Sequence, residues 1–516
     1  MPVTRRSIHA GWQKRSPACV RNKETNLNFI NPELSIPFLA IIVIIYYILS
    51  RRYQNIWLLI VSLGIVIQLS RLFTVFLLAL IIFNFFIALR LSKRTARKTR
   101  LLWFGISGNI LIWVFLREQN FFLEAFGRTF GQIPQIASLT GLDLLVPIGI
   151  SFIVVQAISY LVDVAKNRIE PTKNFLYLSL YLIYFPKLIS GPIERAGDFF
   201  SQLSHRREVD ERTLWESFSL IIAGLFRKMV IADLLLISFI QQNFEPTPFA
   251  PENFSSVELF IRMLAYAVYL YNDFAGYTYI ARGISQLFGI KLSLNFKQPY
   301  FAHSFSDFWN RWHITLSNWL RDYIFYPISR SLRKRYRKSS HFFNLFIPPM
   351  VTMLVSGLWH GISWHTLVWG GMHGTYLFLE QTLNFLKPTL RHQSSTDTKT
   401  RIFSSFSKGV KALGSIVLVF VLISLAWIPF ELTLPQTVSY FRQLFSFTGS
   451  FQWYPGLLVW LSLSLILDFL SMKTDAKMIS YTWPAWVRNT AFAFSIFVIL
   501  SVMIYNTSAP FVYQGF

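Results

Sequence analysis

Long apolar runs separated by short polar segments dominate the chain from residue 36 almost to its end. Many of these runs approach the length of about 20 residues that a helix needs to cross a bilayer. The pattern predicts an all-α polytopic membrane protein with about ten to thirteen spanning helices. The runs lie at residues 36–50, 55–70, 72–89, 101–116, 144–165, 174–190, 214–243, 254–271, 343–358, 364–386, 410–430, 453–471 and 486–505.

The run at 174–190 differs from a plain spanning helix because it contains Pro186 and leads into Gly191 and Pro192. Proline removes a helical hydrogen bond and clashes with the preceding turn, so this stretch is predicted to be a broken or re-entrant helix. Unwound backbone survives at membrane depth only where it is buried in protein or lines a cavity. Ser190, which precedes the glycine, is therefore a candidate for such a lining.

Residues 291–342 carry many polar groups, yet apolar residues recur there at helical spacing. A helix drawn from Phe305 to Tyr323 has one apolar and one polar face, so we expect a single interfacial or re-entrant helix in this region. His313 lies at the edge of the apolar face. The apolar face holds Phe305, Trp309, Trp312, Leu316, Leu320 and Tyr323, and the polar face Asp307, Asn310, Ser317, Arg321 and Asp322.

Composition supports a single membrane domain. Of 516 residues, 53% are hydrophobic and only 14% are charged, too few charges to cover a soluble protein of this length. We therefore predict one membrane domain at residues 35–516, preceded by a polar, basic extension at residues 1–34.

The net charge of +24 comes from lysines and arginines clustered in short loops, such as 93–100 and 330–338. This clustering follows the positive-inside rule, so we expect no nucleic-acid partner but a multi-pass protein of the cell inner (plasma) membrane, with these loops in the cytoplasm. That topology places the start of the first helix outside, whereas the basic N-terminal tail favours the inside. We give the loops more weight than the tail.

The single cysteine, Cys19, excludes an intrachain disulfide, a cysteine metal cluster and a C-x-x-C redox site. It lies in the polar N-terminal stretch, which also argues against a thiol acyl-enzyme. The sequence contains neither a glycine-rich phosphate loop nor a G-x-S-x-G elbow, so nucleotide hydrolysis and soluble-type serine hydrolysis lack support.

Histidines within apolar segments are the leading candidates for chemistry, because ionisable groups are costly inside a membrane. His360 ends an apolar run between Gly357 and Gly361, where the backbone can open to a substrate. An imidazole can accept a hydroxyl proton and return it, although His360 could instead be a structural histidine bonded to a neighbouring helix. His313 is the second candidate, with an interfacial position at a headgroup boundary as the alternative.

Two other arrangements of ionisable residues bear on the function. His365 lies five residues after His360, and His373 lies eight residues after His365, whereas a two-histidine zinc site on a helix prefers a spacing of four, so no metal site is expected. Asp273 follows an apolar run, and a buried carboxylate needs a partner. It could orient a histidine or lock helices together.

Six motifs in order resemble the membrane-bound O-acyltransferase family, in the bacterial branch that includes proteins of alginate O-acetylation and teichoic-acid D-alanine transfer. The resemblance covers roughly residues 36–516 and is specific because of the order of the motifs. Two positions depart from the family pattern, Asn272 and Ala275, where relatives often carry an aromatic residue and serine. The motifs are VPIGISF at 146–152 with QAISY at 156–160, FPKLISGPI at 185–193, DFAGY at 273–277, DFWNRWHI at 307–314, GLWHG at 357–361 and FVYQGF at 511–516.

The resemblance implies a fold and a reaction. The fold would be a ring of spanning helices around a thin centre of re-entrant and interfacial helices with a central tunnel. The family's reactive histidine corresponds to His360 and its second histidine to His313, and His360 would act as the general base. Further residues of the motifs would shape the tunnel or contact the substrate: Trp309, Asn310, Arg311, Trp359, Asp273, Ser190, Gly191 and Pro192.

The resemblance also implies the acyl donor, a cytoplasmic thioester such as acetyl-CoA or an acyl carrier protein. The acyl group expected is acetyl, and no bound cofactor is expected. The acceptor would be a hydroxyl of an extracytoplasmic polysaccharide or of a relay partner, besides contacts with membrane lipids. Two alternatives remain open at this point: a transporter or flippase without covalent chemistry, which also explains broken helices and basic loops, and an acyltransferase acting on lipids.

Overall fold

The structure, a computed structural model, is mostly helical in the part of the chain that it describes. The described residues are 32–92, 97–118, 149–205, 207, 209–237, 250–335, 341–386, 398–449, 455–472 and 479–505. The predicted extension at 1–34 therefore lies almost entirely outside the described residues, as does the aromatic FVYQGF ending. No β-strand occurs within these described ranges, which confirms the all-α prediction.

An N-terminal helical bundle forms the first half of the fold. Its helices bury their apolar faces against one another, and a pair of buried amides links α3 to α4, because Asn84 and Asn109 donate to each other over 3.0 and 2.9 Å. Such reciprocal bonds satisfy polar groups that would otherwise be costly in an apolar interior. The helices are α1 Pro32–Ile48, α2 Arg51–Leu69, α3 Arg71–Leu91, α4 Lys98–Arg117 and α5 Ile150–Ala165.

The run predicted to be broken is broken. Helix α6 (Phe175–Ile183) stops before a 3₁₀ turn at Phe185–Lys187, and α7 (Ala196–Ser204) begins only after an extended segment. Pro186 is the second residue of the 3₁₀ turn, and a Cβ built at Gly191 would lie 2.4 Å from the Lys187 Cα, so only glycine fits this bend. The segment between α6 and α7 is buried in protein, as unwound backbone at membrane depth must be.

Two helices in close contact form the centre of the second half. Helix α8 (Glu211–Leu225) continues into a π-helical segment at Phe226–Asp233 and packs along α9 (Ser256–Leu287). Gly224 and Gly276 face each other so closely that a Cβ on either would lie under 3 Å from the other's carbonyl oxygen. Small residues permit such backbone approach between membrane helices.

The prediction of a single interfacial helix from Phe305 to Tyr323 is wrong. The segment divides into α10 (Phe305–Trp309), a turn, α11 (Ile314–Leu320), a π-helical turn and α12 (Tyr326–Arg335). The break occurs because His313 adopts a left-handed backbone with φ of 42°. Backbone bonds to the preceding segment replace the helical ones, since the Ile314 N–H donates to the Asn295 carbonyl over 2.9 Å.

A helical hairpin, α13 (His341–His360) and α14 (Trp364–Leu386), carries His360 at its bend. The two helices touch through their backbones: a Cβ at Gly357 would lie 2.3 Å from the Thr366 carbonyl oxygen. The bend is closed by Thr366, whose hydroxyl donates to the Gly361 carbonyl over 2.5 Å. The position of His360 therefore depends on glycines on both helices.

Replacing Gly370 by alanine should lower the free energy of unfolding by about 1–3 kcal/mol, as overpacking of a tight contact does. A Cβ there would lie 2.4 Å from the Met353 carbonyl oxygen and push α13 and α14 apart. Gly371→Ala is the matched control, because a Cβ at Gly371 meets nothing within 4 Å. Thermal unfolding of the two purified variants in detergent makes the comparison, and equal stability would contradict the proposed contact.

The remaining helices complete the membrane domain. Large apolar side chains are exposed on many helices, including Ile48, Leu111, Val417 and Phe497, as expected for surfaces that face lipid. These helices are α15 Thr398–Glu431, α16 Leu434–Leu444, α17 Pro455–Met472 and α18 Ala485–Tyr505.

Within the described residues, five helical stretches are long and apolar enough to span a membrane. The chain is thus a multi-pass membrane protein, while the expected total of ten to thirteen spans and the central tunnel stay predictions. The five stretches are Arg51–Leu69, Arg71–Leu91, Lys98–Arg117, Gly409–Glu431 and Ala485–Ile504.

Candidate active site

His360 is the last residue of α13 and is only 4% exposed. Aromatic rings surround its imidazole: the ring centroids of Trp369 and Phe430 each lie 5.2 Å away, and that of Trp359 lies 4.8 Å away. Rings of this kind exclude water and strengthen electrostatic interactions at the imidazole. An imidazole in such a setting can exchange a proton with a bound hydroxyl without competition from bulk solvent.

His313 is buried in the turn between α10 and α11, where its left-handed backbone points the ring into the core. Its centroid lies 4.8 Å from that of Phe274 and 6.0 Å from that of Phe152. A left-handed conformation is unusual for a residue other than glycine and marks a position that the surrounding fold holds in place. His313 is therefore a buried residue that the surrounding fold holds in place.

Trp359 joins the two histidines. Its ring lies 6.1 Å from that of His313 and 4.8 Å from that of His360, and its indole N–H donates to the Ser151 carbonyl over 3.2 Å. His360 follows Trp359 directly on α13, whereas His313 reaches the same tryptophan ring from the turn before α11. The fold brings together the two candidates that carry the sequence-based hypothesis.

The start of α5 supports this tryptophan. Gly149 has a φ of 74°, and a Cβ there would lie 1.9 Å from the Leu188 carbonyl oxygen, so the position requires glycine. The tight approach fixes Ser151 and Phe152, which contact Trp359 directly. It also brings the described part of the VPIGISF motif, residues 149–152, against the FPKLISGPI segment.

The Ser190-Gly191-Pro192 segment is buried and lies against the helices that carry the site. The Ser190 N–H donates to the Tyr277 hydroxyl over 3.4 Å. The next residue, Ile193, donates its N–H to the hydroxyl of Thr315, two positions after His313, over 3.0 Å. The broken helix therefore reaches the His313 turn through its backbone.

The candidate residues at the end of α10 and in the turn after it point in different directions. Trp309 is half-buried and lies near Trp369 and His373, with centroid distances of 6.0 and 5.0 Å. Asn310 is exposed and accepts a bond of 3.1 Å from Arg321, while Arg311 pairs with Asp307 over 2.8 Å. Trp309 thus faces the aromatic cluster. The described side-chain bonds of Asn310 and Arg311 are instead with the charged residues Arg321 and Asp307.

Asp273 lies in a cluster of buried charges. Its carboxylate pairs with Lys228 over 2.6 Å, and Lys228 also pairs with Asp233 over 2.8 Å. Beside it, Arg227 pairs with Asp468 over 2.6 Å and donates to Asn272 over 2.9 Å. These contacts tie the π-helical segment to α9 and α17, so they favour the helix-locking role for Asp273 over the orientation of a histidine.

Several residues near the histidines carry no sequence motif that we used. Arg117 donates to the backbone carbonyls of Trp359 and His360. His373 and Trp369 are fully buried and share a ring contact of 4.9 Å next to His360. The sequence does offer one indication for Arg117, since it is a cation at the end of an apolar run. A cation there is costly in a membrane and therefore needs a partner.

The fold and the site define an all-α polytopic membrane protein with two buried histidines joined by aromatic rings. The model of MBOAT, the membrane-bound O-acyltransferase family, matches residues 58–400. The chain belongs to this family, which confirms the resemblance seen in the motifs. Its activity is accordingly that of an O-acyltransferase.

Curated relatives in three organisms show the range of the similarity. The chain is 32% identical to the probable alginate O-acetylase AlgI of Pseudomonas putida over 352 residues, 67% of this chain and 69% of the relative. It is 29% identical to the peptidoglycan O-acetyltransferase of Helicobacter pylori over 377 residues, 68% of each. It is 28% identical to the teichoic acid D-alanyltransferase of Bacillus subtilis over 232 residues, 45% of this chain and 58% of the relative.

Proposed function

We propose that this protein transfers an acetyl group from a cytoplasmic thioester to a hydroxyl of an extracytoplasmic polysaccharide, or of a relay partner, with His360 as the general base. The supporting observation is the position of His360: a buried imidazole at the bend of α13 and α14, among aromatic rings and next to His313 across Trp359. The protein then resides in the inner (plasma) membrane, where thioester and acceptor lie on opposite sides.

The reaction assigns a simple path to each group. His360 takes the proton of the acceptor hydroxyl as its oxygen attacks the thioester carbonyl carbon. A carbon–oxygen bond forms, the carbon–sulfur bond breaks, and the protonated imidazole returns the proton to the leaving thiolate. The products are an ester and a free thiol, and His360 ends as it began.

His313 takes a supporting role in this scheme. It lies at the start of α11, which leads through α12 to the basic loop expected in the cytoplasm. We assign it to positioning of the thioester or to proton movement from the inner side, while Trp309 and Trp359 shape the passage. The donor is acetyl-CoA or an acetylated carrier protein.

The relatives support the choice of acceptor class. Their names connect the same family to alginate, peptidoglycan and teichoic acid, all of them polymers and none a membrane phospholipid. A soluble transferase outside the membrane would complete the pathway if the first acceptor is a relay protein. An acyl carrier protein would dock against the cytoplasmic loops.

The experiment supplies purified protein in nanodiscs with radiolabelled acetyl-CoA and soluble oligosaccharide acceptors. We expect alkali-labile label in the oligosaccharide and a matching amount of free coenzyme A thiol. A relay partner is tested by adding the extracytoplasmic proteins encoded beside this one. Label in extracted lipid would instead indicate a lipid acyltransferase, and transport of a glycan without ester formation would contradict the proposal.

A further inference from the structure

We propose that Arg117 is a positioning residue that holds the end of α13, and with it His360, in the orientation needed for proton transfer; this inference rests on the proposed function. Arg117 is the last residue of α4, at the end of a spanning helix. A guanidinium group there is costly unless it has specific partners. Its partners are found on α13, which carries both the reactive histidine and the tryptophan beside it, and on α5.

The first set of contacts is with the backbone of α13. One guanidinium nitrogen donates to the Trp359 carbonyl over 2.9 Å, and the other donates to the His360 carbonyl. The last carbonyl groups of a helix lack N–H partners within the helix, so they are free to accept such bonds. A cation at this end also interacts favourably with the helix dipole.

The second set of contacts is with the start of α5. Arg117 donates to the Ser151 hydroxyl over 3.3 Å, and the same hydroxyl accepts the indole N–H of Trp113 over 2.9 Å. The backbone carbonyl of Ser151 accepts the indole N–H of Trp359. Arg117 and Ser151 thereby hold Trp359 at both its backbone and its ring.

These contacts restrain the direction of the His360 side chain. α13 ends at His360, and only three residues separate it from α14. Rotation of the last turn would move the imidazole, and the bonds from Arg117 to the Trp359 and His360 carbonyls oppose that rotation. A displacement of about 1 Å at a reacting group can reduce a rate about 100-fold.

The test compares Arg117→Ala, Arg117→Lys and a matched control in the nanodisc transfer assay. Arg488 is the control because its guanidinium also donates to a backbone carbonyl, that of Tyr481 over 3.2 Å, and packs on a tryptophan ring, Trp215, at 4.5 Å. Arg488→Ala should keep the wild-type kcat. Arg117→Ala should lower kcat about 10- to 100-fold with KM changed less than about threefold, since the substrates do not lose a contact.

Chemical rescue separates positioning from simple stability. Guanidinium ions at a non-denaturing concentration should restore part of the kcat of Arg117→Ala, and Arg117→Lys should retain more activity than the alanine variant. Neither treatment should restore His360→Ala. A kcat of Arg117→Ala within threefold of wild type, or a loss of activity that neither lysine nor guanidinium recovers, would overturn the inference.

The same assay distinguishes the two proposals. An active His360→Ala variant would refute the proposed general base, whatever Arg117 does. An inactive His360→Ala variant together with a fully active Arg117→Ala variant would refute only the positioning role. If the alanine variant does not fold, the kcat of Arg117→Lys and of Arg117→Gln with guanidinium provides the same decision.

Discussion

His360→Ala should abolish acyl transfer while the protein still inserts and folds in the membrane. Removing a general base typically lowers the rate by a factor of about 10²–10⁴. Aromatic rings surround the imidazole, so bulk water does not readily take over as the base. The measurement is initial ester formation by purified variant protein with labelled acetyl-CoA. Size-exclusion profiles in detergent establish that the variant is folded.

A histidine outside the site provides the control for this experiment. His303 is exposed and precedes α10, whereas His360 is buried at the end of α13. His303→Ala should therefore transfer acetyl groups at the wild-type rate. Wild-type activity in His360→Ala would end the general-base proposal, and the search for the base would move to other buried groups.

Lys228→Met should destabilise the protein more than any other single change considered. Lys228 is fully buried and pairs with both Asp233 and Asp273, so its loss leaves two buried carboxylates without their shared cation. Breaking a buried ion pair from one side typically costs about 3–5 kcal/mol. We expect a large fall in the thermal unfolding midpoint in detergent, with aggregation in place of a monodisperse peak.

A surface pair and a compensating variant test this explanation. Arg212 and Glu216 form an i,i+4 pair 3.1 Å apart on α8, with the arginine mostly exposed, and Arg212→Ala should cost less than about 0.5 kcal/mol. Adding Asp273→Asn and Asp233→Asn to Lys228→Met should recover part of the lost stability, because the uncompensated charges are gone. Equal stability of Lys228→Met and wild type would contradict the buried-charge account.

The buried charges also explain why the apolar pattern ended one predicted helix too early. The pattern ended one run at residue 271, before Asn272 and Asp273, but α9 continues without a break to Leu287. The helix passes through these polar residues because Arg227 and Lys228 on the π-helical segment satisfy them. Hydropathy counts the polar groups but does not include their partners, which lie 45 residues away in the chain.

At His313 the apolar pattern instead predicted a continuous helix where the chain is interrupted. Apolar spacing from Phe305 onwards fits one amphipathic helix, yet the chain turns at His313 and pairs its backbone with Asn295. Periodicity is a local signal, and this turn is fixed by a distant segment and by the rings of Phe152 and Phe274. The roles of His313 and His360 in the reaction remain predictions for the variants above.

The sequence by itself determined the class of the protein, because the length of the apolar runs and the positions of the basic loops indicate which segments prefer lipid and which prefer water. It also determined the family and the two candidate histidines, since the motifs are contiguous in the chain. Only the tertiary structure decided that the histidines meet across Trp359, that Asp273 pairs with Lys228 and that Arg117 caps α13. Those contacts join residues far apart in sequence, and their free energy comes from the packing of helices, which no local pattern records.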